Sequence, residues 1–500
     1  MFSGRRFRPI LFLAPHDRFF SRLGQKTKRD GILELEKKLG GISMVKRNSG
    51  AMQSYRGKLV SSSGSGGGGG GGSGSEVYRP PLPCRALADK KYERYFKTND
   101  FVGRLYNDRQ KALATFRNED FLKDFDPRHY FTHRSKGVCA IDMEFGDLDH
   151  ILPADHSPKP KYKVQLIYPF LGETPFSTDL VRKSRYLAFA TAMVFFVKNV
   201  AEMNERGLYH FNIRNENIAY DSAKNRLFLL DYYMLSKEAT VFVSMASVLW
   251  DQRYENNKWK SNRPIISMSP EANYISSLAE TKTLSAEGNP KNKMSEAGLL
   301  VKSNTMRVPY LFSALFKDDR SRARLLELFK KSAKWYKKQS DDLLLQTINN
   351  EFYKRLHDAI DQSRSWDRND APLQRLFNSR HVMQRQDSWG LGTVLLQWTG
   401  MLLVETGLSA DVKSFLDDFF YLVSNSLVVY DILIRQTVME FYENTVTLLE
   451  KKYPDIYQRY STYVAGVMDD TVKPNSLSNI KMQNITKISL KKKAHFKQNH

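Results

Sequence analysis

Residues 207–236 read GLYHFNIRNENIAYDSAKNRLFLLDYYMLS. Gly207 stands where the C′ glycine of a helix belongs, just past an apolar stretch over about 180–205 that predicts one long helix. The following loop carries His210, Asn212, Arg214 and Asn217 in the frame His-x-Asn-x-x-x-x-Asn. A hairpin is expected over 216–231, ending in Leu229-Leu230-Asp231. A lone histidine followed by an asparagine is most often a packed loop residue. Thirty residues running from helix to polar loop, strand pair and aspartate are far more specific.

Outward from this stretch, FVGRLY at 101–106 and YKVQLIY at 162–168 read as strands, the second stopped by Pro169. Residues 110–124 read as a helix that ends before Asp126-Pro127. Residues 310–360 set aromatic and aliphatic positions at helical spacing among Lys and Arg, and residues 387–407 and 411–452 are apolar-rich and strongly helical. A small strand-containing part therefore precedes a mostly helical part, which makes the fold class α+β. Residues 61–75, SSSGSGGGGGGGSGS, are by composition a flexible linker.

The 207–236 stretch resembles the catalytic loop and metal-binding segment of the protein-kinase family. There His-Arg-Asp leads after four residues to an Asn, and Asp-Phe-Gly follows a short hairpin. Three further matches fall in order. Ser269-Pro270-Glu271 resembles the Ala-Pro-Glu that closes the activation segment, and Asp387-Ser-Trp-Gly-Leu-Gly392 resembles the start of the buried helix of the C-terminal lobe. Glu76-Val-Tyr-Arg-Pro-Pro-Leu-Pro-Cys84 looks like the exit of a nucleotide-covering loop. In that form, with the strand Phe101–Tyr106 and the step Phe125-Asp126-Pro127, the chain is similar to the Ser/Thr kinase-like proteins of large nucleocytoplasmic DNA viruses. The matches span roughly residues 64–450.

The resemblance implies a two-lobed fold, ATP with Mg²⁺ (or Mn²⁺) as cofactors, and Asn217 and Asp231 as metal ligands. It assigns His210, Asn212 and Arg214 to the catalytic loop, with Arg214 contacting phosphate. Gly70, Gly71, Gly72 and Gly74 become candidates for covering phosphates with backbone N–H groups, and Val77, Ile167, Tyr168 and Phe170 for lining the nucleotide. The strand lysine of the family is matched by Arg104, with Glu119 on the next helix as its expected partner; Lys97 and Lys111 are alternatives for that lysine. It also implies infected-cell cytoplasm or virion as the location.

Two departures bear on chemistry. Asn212 stands where the family has Asp; a neutral amide aligns a hydroxyl but is a very poor base, and general-base help is worth roughly 10²–10⁴-fold. At Arg104 a planar fork replaces a compact ammonium. Tyr232-Tyr233 also replaces Phe-Gly, so the glycine that eases a flip of this segment is missing. The expected activity is thus a Ser/Thr-type phosphotransferase with catalysis attenuated or lost. The alternative is a pseudokinase acting as a scaffold or virion-associated protein, and a third reading is a nucleic-acid-associated protein whose tails do the work.

Composition bounds these readings. The 500 residues are 41% hydrophobic and 12% aromatic, enough for a core. Two cysteines, Cys84 and Cys139, exclude a disulfide framework or multi-cysteine zinc site and fit a reducing compartment. No apolar run reaches the eighteen or so residues of a spanning helix. The net charge of +23 is concentrated at the ends: residues 1–60 hold 14 Lys or Arg against 4 acids, and residues 473–500 hold 7 Lys and no acid. Such tails suit a nucleic acid or another polyanion, or serve only as solvated segments; the Arg-rich start also leaves an organellar presequence as a minor option. The expected organisation is a basic disordered tail at 1–60, the Gly/Ser run at 61–75, an N-lobe at 76–170, a C-lobe at 171–472 with a helical insertion at about 272–386, and a basic tail at 473–500. The insertion reads as packing on the lobe or as a platform for a protein substrate or scaffold partner.

Overall fold

The computed structural model describes residues 58–62, 76–82, 95, 98–106, 109–140, 164–171, 186–237, 254–255, 258–259, 267–271, 308–337, 354–355, 358, 382, 384–405 and 408–469. Both basic tails beyond residue 58 and residue 469, the Gly/Ser run, Lys97 and most of the insertion lie outside these residues. The fold class is α+β, as expected.

Five strands form an antiparallel sheet in the order β1-β2-β3-β5-β4: β1 Lys58–Ser62, β2 Glu76–Arg79, β3 Phe101–Tyr106, β4 Gly137–Ala140 and β5 Val164–Pro169. β1 crosses the boundary expected at residue 60, placing residues 58–60 in the sheet. The short apolar step Leu59-Val60 supplies the strand, and its pairing of Ser62 with Glu76 makes residues 63–75 the connection of a β-hairpin. The Gly/Ser run therefore joins two paired strands and is not an interdomain linker.

Alternation along β3 separates two faces. Val102 and Tyr106 pack with Val138, Val164, Leu166 and Tyr168, beside Ala112 of helix α1, Arg109–Phe125. On the other face Phe101 joins Tyr95, Cys139 and Ile167. Gly103 points to that second face, where a Cβ would collide with the Gln165 side chain and come within 3.0 Å of the Pro81 Cα. Gln165 bridges this layer, taking a hydrogen bond from the Leu82 N–H at 3.2 Å and donating to the Cys139 Sγ at 3.2 Å. Cys139 is disulfide-bonded, a bond that the cysteine count did not anticipate; the other cysteine of the chain, Cys84, lies outside the described residues.

The helical part is built around α2, Tyr186–Glu205, a mostly buried helix. It is the one helix among the described residues with the length and apolarity of a membrane span, and 72% of that window is buried inside the protein. Gly207 follows it with φ 71°, the left-handed conformation that its C′ reading requires. Next come β6 Leu208–Tyr209, the hairpin β7 Ile218–Asp221 and β8 Arg226–Leu229, and β9 Ser236–Lys237, which pairs back on β6. A small hairpin, β10 Tyr254–Glu255 and β11 Lys258–Trp259, stands further on. Helices α3 Val308–Leu315, α4 Asp319–Ser332 and α5 Lys334–Lys337 fall within the span expected as an insertion, and they pack onto the helical core through Phe312, Leu325 and Phe329 of α3 and α4 and through Trp335 and Tyr336 of α5. The core continues with α6 Gln386–Leu403, α7 Ala410–Ser426, α8 Val438–Lys452 and α9 Pro454–Asp469. The apolar span 411–452 is thus two helices. A capping box starts the second: the Thr437 side chain accepts from the Glu440 N–H while the Glu440 carboxylate accepts from the Thr437 N–H.

Candidate functional site

The β7–β8 hairpin sets the first half of the site. The Leu230 N–H donates to the Asn217 carbonyl at 2.8 Å, so Asn217, just before β7, stands beside the residue that precedes Asp231. The Leu230 carbonyl in turn accepts from His210 Nε2 at 2.9 Å, while His210 Nδ1 takes the Asn212 N–H at 3.3 Å. Both ring nitrogens are consumed. Burial lowers the pKa of this ring against the pull of Asp387 and Asp231. His210 is therefore a neutral positioning residue that ties the loop to the end of the hairpin.

Asp387, at the start of α6, holds the same loop from below. Its carboxylate accepts from the His210 N–H at 2.8 Å, the Phe211 N–H at 2.7 Å and the Asn204 side-chain amide at 2.9 Å. Phe211 sits at φ 58°, a left-handed conformation costly for an aromatic residue, and these bonds fix it there. Asn217 Nδ2 donates to the Asn212 carbonyl at 2.9 Å, closing the loop on itself. Asn212, His210 and Asn217 are all buried.

Asp231, also left-handed at φ 64°, receives Arg104 of β3: Nη2 lies 2.8 Å from Oδ2, with both side chains largely buried. Burial alone would raise the Asp231 carboxyl, but the charge and hydrogen bond of Arg104, with the charge of Arg214 adding to them, hold it below the usual value. Arg214 is a quarter exposed, 4.0 Å from the exposed Glu216, and its Nε is buried without a hydrogen-bond partner among the described residues. Val77 lies directly across from Arg104 on β2 and shares its face.

Three expected site residues fall elsewhere. Glu119 does not pair with Arg104; its carboxylate accepts from the Ser135 N–H at 2.9 Å, the Ser135 hydroxyl at 2.5 Å and the Tyr168 hydroxyl at 2.8 Å. Burial pushes its pKa up to about 7 in spite of those bonds. The neighbouring Asn118, one helical step of 100° away, is what reaches the site, donating to the carbonyls of Tyr232 at 2.7 Å and Tyr233 at 3.2 Å. Ile167 pairs with Gly103 and lies on the face of the sheet opposite Arg104, a direct consequence of strand alternation. Phe170 carries the Arg79 guanidinium 3.5 Å above its ring, and its N–H donates to the Asp100 carbonyl at 2.6 Å. Tyr168 does share the face of Arg104, with its hydroxyl committed to Glu119. Gly70, Gly71, Gly72 and Gly74 lie outside the described residues, and Lys111 is on α1.

Several residues that the sequence did not single out complete the frame. Arg435 makes a two-pronged ion pair with Glu271, at 2.8 and 3.1 Å, with both side chains fully buried. Its guanidinium also lies 5.3 Å from the Trp389 ring. The only cue was an arginine closing the short apolar run Ile432–Ile434. His133 donates from Nε2 to the Pro169 carbonyl at 2.8 Å, and its own N–H bonds the Tyr232 hydroxyl at 3.0 Å, joining the sheet to the hairpin segment.

A divalent cation such as Mg²⁺ needs several hard oxygen ligands. Hard oxygen ligands come from Asp231 and Asn217 alone, and among the described residues no three His, Cys, Asp or Glu side chains come together. One carboxylate oxygen of Asp231 is already held by a guanidinium, and Arg214 adds a second positive charge nearby. One carboxylate facing two guanidinium groups is a poor fit for Mg²⁺, which needs near-ideal octahedral oxygen ligation. What the arrangement offers is a largely buried group of one carboxylate and two guanidinium side chains where β3, flanked by β2, meets the end of the hairpin. No protein-family model matches the chain, and no curated protein is similar to it.

Proposed function

We propose that this chain has a two-lobed, protein-kinase-like fold whose cleft takes a nucleoside triphosphate, with phosphotransfer to protein Ser/Thr attenuated or lost. The observation that carries the reading is the Arg104–Asp231 ion pair. It joins two residues 127 positions apart that the motif resemblance assigned independently to one nucleotide site. The Asp387 contacts to the loop and the Glu271–Arg435 pair support it, because each unites motifs that the resemblance named in separate parts of the chain, or braces one of them.

In this reading Arg104 and Arg214 hold phosphate oxygens, and Val77 with Val102 covers the base. The β1–β2 connection, rich in glycine, supplies backbone N–H groups to the phosphates. Asn212 aligns an acceptor hydroxyl without taking its proton, which leaves late to solvent as ADP departs, so transfer proceeds slower by roughly 10²–10⁴-fold than with a carboxylate. The basic tails would add polyanion contact, and the insertion a protein partner.

Phosphotransfer from labelled ATP tests the reading, comparing wild type, Asp231→Ala and Asn212→Asp. Activity gained in Asn212→Asp over a silent or weak wild type is the expected result. Silence in all three, together with no ATP-induced thermal shift, would overturn it.

A further inference from the structure

We propose that nucleotide binding at this cleft is independent of divalent cations, because the guanidinium groups of Arg104 and Arg214 supply the positive charge that the triphosphate requires. The inference rests on the nucleotide reading above and specifies what neutralises the ligand.

Three observations carry it. First, Arg104 already occupies Asp231, the one carboxylate of the cleft, at 2.8 Å in a setting with little solvent. A Mg²⁺ ion on the same carboxylate would have to approach this guanidinium closely or expel it. Either way two cations would compete for one anion in a medium of reduced dielectric, where like charges are poorly screened. Second, Asn217 cannot make up the deficit. It contributes one neutral oxygen, because its amide nitrogen is spent on the Asn212 carbonyl. Third, Arg214 keeps a buried Nε without a partner among the described residues, an unmet donor of the kind that an anion satisfies. Asp231 and Glu216 formally balance Arg104 and Arg214, but Glu216 is exposed and screened by solvent at 4.0 Å from Arg214, so the buried part of the site holds one carboxylate against two guanidinium groups and favours an anion over a cation. Guanidinium groups bind phosphate through charge-assisted N–H donors and stay charged at any accessible pH.

The metal-bridged arrangement and the guanidinium arrangement make opposite predictions. ATP affinity is measured by calorimetry on the full chain in excess EDTA and again with Mg²⁺. The expected result is a dissociation constant that agrees within about threefold between the two conditions. Arg104→Met should weaken binding in EDTA by about tenfold or more and recover part of it on adding Mg²⁺, since the freed Asp231 then becomes a metal ligand. Arg104→Lys keeps the charge and checks that any loss does not come from misfolding; it should bind ATP in EDTA more tightly than Arg104→Met. ATP binding by wild type that disappears on chelation would overturn the inference while leaving the nucleotide reading standing. No ATP binding in either condition would overturn the nucleotide reading itself, and this inference with it.

Discussion

Glu119 shows how far a residue's role depends on which way its helix is turned. Its carboxylate is buried against Ser135 and Tyr168, with Asp120 beside it on the helix and Tyr106 nearby, and burial pushes its pKa up to about 7. In the unfolded chain it titrates near the ordinary 4.5. As pH rises between those values the unfolded chain gives up its proton while the folded chain keeps it. Stability from this group therefore falls as pH rises from about 4.5 to about 7, by at most about 1.4 kcal/mol per pH unit. Glu119→Gln should be more stable than wild type at about pH 8 and equal to it at about pH 4, read as urea midpoints. Parallel pH profiles for the two proteins would remove the buried titration from the account. The sequence made Glu119 legible as an important position of the helix but not its orientation. Asn118, next along the chain, faces the Tyr232 carbonyl instead.

Among the elements, α6 bears most directly on the site. At Gly390 an added Cβ would lie 2.9 Å from the Ile213 carbonyl oxygen and 3.0 Å from that of Ser267, both backbone atoms that cannot step aside. At Gly400 of the same helix the nearest atoms belong to the side chains of Phe316 and Leu325. Gly390→Ala should therefore cost about 1–3 kcal/mol through overpacking. Gly400→Ala should cost less, because side chains relax and alanine is favoured in a helix by about 1 kcal/mol. Equal melting temperatures for the two variants would refute the backbone contact. Elements with a local signature were read well from sequence. β3 coincides with 101–106, and the helix expected at 110–124 is α1 within a residue at each end. β1 was missed because its partner strand lies beyond the glycine run, and strand pairing across such a gap leaves no local pattern. The break between α7 and α8 was missed although Thr437-x-x-Glu440 spells a capping box.

At the scale of the whole molecule, the site depends on contacts that no local reading supplies. Asp387 reaches the His210 amide across 177 positions, and Arg435 reaches Glu271 across 164. Motif order suggested which segments belong together, and only the folded chain shows which atoms meet. Those long reaches also show why the expected Arg104–Glu119 pair failed: both residues lie in the sheet-and-helix part, yet the arginine is drawn to a carboxylate from the helical part. The sheet and the helical core are thereby latched together at Arg104, at Asn118 and at His133.

The grip of Asp387 has one more consequence. The amides of His210 and Phe211 belong to a loop, and loop amides ordinarily trade their hydrogens for deuterium within the early points of an exchange series. These two donate to a buried carboxylate anchored on a core helix, so they are released only when the loop parts from α6. Their deuterium uptake should keep pace with the slowest helical amides, and a peptide spanning 208–212 should remain light long after the surface helices have turned heavy. In Asp387→Ala the same peptide should label early while the α2 peptide stays protected. Early labelling in wild type would mean that the loop opens without the core.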